Sequence, residues 1–143
     1  MSEPIRASGS GSLPCEAVAG ALRRALAARG DVRLGILFGS VARGRAREDS
    51  DVDVAVDAPG TDLLELAAEL SVAVGREVHV VLLDQATYPL LCALVRDGVV
   101  VAEHPGGAAA EWRTRAILEL ETDRPWFERM RDAYLARLAS GAP

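Results

Sequence analysis

The stretch LFGSVARGRAREDSDVDVAV, residues 37–56, decides how the rest of the chain is read. An apolar run, VRLGILF (32–38), stops at Gly39-Ser40, and a charged loop then leads into the alternating DVDVAVD (51–57). Alternation predicts a strand with Val52, Val54 and Val56 on one face and Asp51 and Asp53 on the other. Aspartate is depleted in strands, and two ionised carboxylates on one face repel each other unless a cation sits between them. No Lys or Arg alternates with them to neutralise them. Hard divalent cations take oxygen ligands, and a carboxylate pair supplies these while a substrate's phosphates complete the shell. By itself a D-x-D reads first as a solvated strand start, with Asp51 in a turn.

Gly39-Ser40 changes that balance. A Gly-Ser between an apolar strand and a short helix leaves backbone N–H groups free at the helix N-terminus, where the dipole favours a phosphate. The Ser40 hydroxyl adds a donor, and Gly39 permits close approach. A phosphate site and a metal site on adjacent strands describe a pocket for a nucleoside triphosphate. Arg43, one turn beyond Ser40, would neutralise it with a forked guanidinium. Arg45 and Arg47 read as a solvated loop, and Asp49 and Ser50 as turn chemistry.

Outward from this stretch, Pro14 and CEAVAGALRRALAARG predict a helix closing at Gly30, with Val18, Leu22 and Leu26 as its apolar stripe. Pro59-Gly60 ends the acidic strand, and Thr61-Asp62 starts a helix that stops at Gly75. A strand follows at about 76–83, then a short helix in YPLLCALVRDG and a strand in VVVAE. After the break at His104–Gly107, helices are expected over about 109–121 and 125–139, split at Pro125. Alternating strands and helices predict an α/β (α+β) fold. Residues 1–12 read as a disordered leader, 13–105 as the main domain, and 106–143 as a helical segment packing on it or docking a partner. Trp112, Trp126, Phe127 and Tyr134 lie in that last segment.

The chain of 143 residues is large enough for one core. Its formal charge of −5 argues against a general affinity for nucleic acid or anionic membranes. No apolar run approaches the roughly 18–20 residues that span a bilayer, and the N-terminus lacks a signal-peptide core. Cys15 and Cys92 read as buried, reduced thiols, so a cytoplasmic location is expected.

The arrangement G39-S40, ten intervening residues, then D51-V52-D53 is the G-S-x10-D-x-D pattern. Over roughly residues 15–105 the chain resembles the minimal nucleotidyltransferases of the polymerase-β-like superfamily. The resemblance implies a mixed sheet flanked by helices. It also implies transfer of a nucleotidyl group from a triphosphate, with release of pyrophosphate. Asp51 and Asp53 would hold two Mg²⁺ or Mn²⁺ ions, and Gly39 and Ser40 the β- and γ-phosphates of ATP. Family members carry a third carboxylate on the next strand, where this chain reads V78-H79-V80-V81. His79 then replaces it as ligand or general base, or Glu77 substitutes for it, or catalysis is impaired. An ordinary hydrogen-bonded strand histidine is an equal reading.

Small single-domain members of this family commonly pair with a separate HEPN-domain RNase toxin. The nucleotidyltransferase acts as antitoxin by attaching AMP to a toxin tyrosine. The acidic charge, the shortness of the chain and the C-terminal aromatics and arginines agree with that role. Two alternatives are neutralisation by binding alone and adenylylation of a small molecule such as an aminoglycoside. The latter enzymes add a larger C-terminal helical domain.

Overall fold

Leu34–Phe38 forms β1, the strand around which the sheet is laid out. In the computed structural model, which describes residues 14–47 and 49–141, α1 spans Cys15–Ala27, and α2 is a single turn at Gly39–Ala42. Then come β2 (Val52–Asp57), α3 (Leu63–Val74), β3 (Val78–Leu82), α4 (Tyr88–Asp97), β4 (Val99–Glu103) and α5 (Ala108–Ala139). A short 3-10 turn at Leu83–Gln85 joins β3 to α4. The leader expected over residues 1–12 lies outside the described residues.

The strands run in the order β3-β2-β1-β4. β1 is antiparallel to both its neighbours, whereas β2 and β3 are parallel, so the sheet is mixed. A parallel pair needs a crossover, and α3 supplies it. Asp62 caps that helix by accepting the N–H groups of Leu64 and Glu65, and Gly75 ends it in the left-handed conformation.

Alternation along β2 divides the core into two layers. Val52, Val54 and Val56 pack with Val18, Leu22 and Leu26 of α1 and with Leu66, Leu70 and Val74 of α3. Each fully buried Leu or Val here contributes roughly 1.5–3 kcal/mol through removal of its apolar surface from water. On the other face Ala55, Leu34 and Ile36 meet Leu83 and Leu94, with Trp112 of α5 against them. Asp53 shares this second face, because it alternates with Val52 and Val54.

Two expectations need correction. Cys15 and Cys92 are free but only partly buried. The C-terminal segment is one continuous helix rather than two, and Pro125 lies inside it. Between residues 108 and 139 no glycine offers a left-handed stop. Thr122, instead of capping a new helix, donates its hydroxyl to the Leu118 carbonyl at 2.9 Å. Beyond the proline, the Phe127 ring stacks on Tyr88 with centroids 4.3 Å apart, which anchors the next turn to α4. The helix thus tolerates the one backbone hydrogen bond that proline removes.

Candidate active site

The site is assembled at the end of the two central strands, where β1 ends and β2 begins. In the β1–β2 register Asp53 lies opposite Phe38, and in the β2–β3 register it lies opposite His79. Phe38 is followed directly by Gly39, whose φ of 81° suits glycine alone. A Cβ built on Gly39 would lie 2.6 Å from Asp53 Oδ2. The Gly-Ser turn and the second carboxylate of the D-x-D are therefore in direct apposition. The first N–H groups of α2 have no acceptor within the helix, which leaves them as donors at this turn.

Asp51 lies just before β2 and is tied to the start of β3. Val52 donates its N–H to the Glu77 carbonyl at 2.9 Å, and Arg76 Nη2 donates to the Ser50 carbonyl at 3.0 Å. Ser50 itself closes the preceding turn by accepting the Arg47 N–H at 2.8 Å, the turn role expected from the sequence. These contacts bring His79 Nε2 within 3.1 Å of Asp51 Oδ2 and 3.9 Å of Glu77 Oε1. In this contact a carboxylate oxygen accepts, so a donating imidazole would do so from Nε2. One ligand atom from each of Asp51, Glu77 and His79 lies within 4.8 Å of the others, and all three residues are exposed to an incoming ion.

Asp53 is more enclosed than Asp51. Burial is the main force pushing its carboxyl above the usual aspartate range, the Asp51 charge adds to it, and His79 opposes it. A carboxylate so placed gains from a cation. Asp51 and Glu77 supply carboxylate oxygens of the kind Mg²⁺ takes, whereas the imidazole beside them suits Mn²⁺ better than Mg²⁺.

Gly39, Asp51, Asp53 and His79 thus meet in one corner, with Ser40 next in the chain. Arg43, at the C-terminal end of α2, lines a cleft of about 340 Å³ with Arg45, Arg96 and Asp97. The sequence reading separated Arg43 from Arg45, but the fold places them in the same cleft. Arg96, which the sequence offered only as a cation in the last turn of a predicted helix, lines the same cleft. Arg96 Nε donates to Asp97 at 2.9 Å. A larger cavity, of about 670 Å³, opens at the far end of β2 around Asp57 and Trp112, away from the aspartate pair.

The sequence profile of the family described as Polymerase beta, Nucleotidyltransferase matches residues 21–105. The chain belongs to that family. The matched nucleotidyltransferase region includes every residue of the corner described above. No curated protein matches the sequence significantly. Among solved structures, the nucleotidyltransferase chain is similar to a toxin–antitoxin complex with AMP-PNP at 23% identity and TM-score 0.63, covering 89% of this chain and 99% of the other. It is also similar to the tri-AMPylated Shewanella oneidensis HEPN toxin in complex with MNT antitoxin. There the identity is 20% and the TM-score 0.62, over 87% and 98% of the two chains. An MntA–HepT toxin–antitoxin structure gives 20% identity and TM-score 0.61, with the same coverage. At these identities the likeness shows a shared fold.

Proposed function

We propose that the protein is an antitoxin that transfers AMP from ATP to a tyrosine hydroxyl of a HEPN-domain RNase. The observation that carries the reading is the apposition of Gly39 to Asp53, with His79 in register on the next strand. The fold-level neighbours that are complexes with AMP-PNP or with an AMPylated HEPN toxin support the choice of nucleotide and acceptor.

In this reading Asp51 and Asp53 hold the divalent ions, with Glu77 at hand as a further carboxylate. When bound, the ions offset charge on the attacking and leaving oxygens of an in-line displacement. The α2 N–H groups and the Ser40 hydroxyl orient the β- and γ-phosphates. Arg43 neutralises triphosphate charge as it enters. His79 is kept with Nδ1 as its basic nitrogen by the hydrogen bond to Asp51, so it receives the acceptor's proton as general base. A cytoplasmic location agrees with an ATP substrate. Among the described residues, no helix is long and apolar enough to cross a membrane.

The test is to incubate the protein with ATP, Mg²⁺ or Mn²⁺ and the HEPN protein encoded beside it, then measure intact masses. An AMP adduct on a tyrosine, absent with the D51A/D53A variant, is the expected result. No adduct, together with undiminished protection of cells by D51A/D53A, would overturn the transfer. That outcome would favour a second reading, neutralisation by binding alone, for which the substitution of His79 at the third carboxylate position is the motivating observation.

A further inference from the structure

Two cavities open side by side on the sheet face covered by α4 and α5. One, of about 670 Å³, lies at the C-terminal ends of β2 and β3, and the other, of about 340 Å³, lies between α4 and the middle of α5. They share Leu91 and Glu119, so they form one groove. Its floor is apolar, and four carboxylates, Asp57, Asp84, Glu119 and Asp123, stand along it against one guanidinium, Arg115. No ion pair among the described residues neutralises these carboxylates.

The groove does not end where the domain ends. Leu120 and Phe127 face the domain, and the same side of α5 continues at helical spacing into Tyr134 and Leu138, both exposed together with nearby Met130. The apolar surface that packs the first half of α5 thus extends into a second half that nothing covers among the described residues. An elongated apolar track with an acidic rim fits an amphipathic helix better than a compact solute. Such a helix would lay its apolar stripe into the groove and meet the rim with Lys or Arg.

We propose that this groove docks a cationic amphipathic helix of the protein with which the chain pairs. The identity of that protein rests on the antitoxin reading above, whereas AMP transfer plays no part in the docking. The chain's overall acidity makes electrostatic steering of a basic partner general, but the groove localises it.

The ¹⁵N-labelled protein is titrated with a synthetic amphipathic helix of Leu and Arg, and separately with its Leu/Glu counterpart. The Arg peptide is expected to shift the amides of Asp84, Leu91 and Glu119, and the Glu peptide to leave them in place. The E119R/D123R variant should weaken binding about tenfold or more. E16R/E65R makes the same charge change on the α1/α3 side and should retain binding. Equal weakening by the two double variants, shifts centred elsewhere, or no saturable binding would overturn the proposal. With the HEPN protein, D51A/D53A should bind as wild type does and E119R/D123R should not. An AMP adduct alongside undiminished binding by E119R/D123R would remove the groove and leave the transfer standing. Lost binding by that variant without any adduct would do the reverse.

Discussion

At the scale of single residues, Asp53 does the most with the least space. It abuts Gly39, pairs across to His79, and is the more enclosed of the two aspartates. Because folding raises its pKa, the ionised form costs the fold free energy. The metal-free protein therefore loses stability as pH rises from the ordinary carboxylate range through the Asp53 pKa, and the loss is complete above it. Asp53→Asn should raise the melting temperature at pH 7 and make no difference below about pH 4. A divalent ion should raise the melting temperature of the wild type but not of that variant. Equal melting curves at neutral pH would refute this. For His79, substitution by Asp restores a third carboxylate, so transfer should persist or rise if His79 acts as a ligand. If His79 acts as general base, transfer should fall by about a hundredfold for His79→Asn, with loss of the corresponding limb of the pH–rate profile. A loss on H79D but not on H79N contradicts both roles.

At the scale of elements, α5 shows what local patterns can and cannot announce. The limits of α3 were legible because Asp62 and Gly75 are chemical signals that the backbone itself uses. Pro125 sent the opposite signal, and the sequence does not show that Phe127 will find Tyr88 two elements away. Propensity lost there to a tertiary contact. Pro125→Ala returns one backbone hydrogen bond and should strengthen the helix by up to about 3 kcal/mol. Hydrogen exchange should slow over residues 126–139 while the sheet amides keep their rates. Unchanged exchange there would mean that the proline does not limit the helix. Similarly, the place of Arg96 in the arginine cleft was not legible, because its companions Arg43 and Arg45 lie more than fifty positions earlier and meet it through the packing of α2 and α4.

At the scale of the molecule, the β2 pattern foretold both layers. Val52, Val54 and Val56 lie on the α1/α3 side as alternation requires, and the aspartates lie on the other. The strand order and the groove beside α5 were not legible, since neither leaves a periodic trace. On the second layer, α4 is fitted closely against β1 where it turns into β4. A Cβ on Gly98 would collide with the Leu94 carbonyl oxygen and lie 2.6 Å from Ile36 Cγ2. Gly98→Ala should therefore destabilise the whole domain by about 1–3 kcal/mol. The effect should appear as a lower denaturation midpoint with an unchanged m value. A midpoint within error of wild type would show that the junction yields freely.

The mixed character of the sheet also favours one order of assembly. β1 and β2 are antiparallel neighbours in sequence, so Gly39 and Asp53 come together by closing a short connection. His79 reaches Asp51, 28 residues away, only once the α3 crossover has docked and β3 has zipped in parallel. Long-range parallel pairing is the slower event. If the site works as proposed above, a nascent chain would hold the Gly39 corner before His79 joins it, and competence for chemistry would arrive with the β2–β3 pairing.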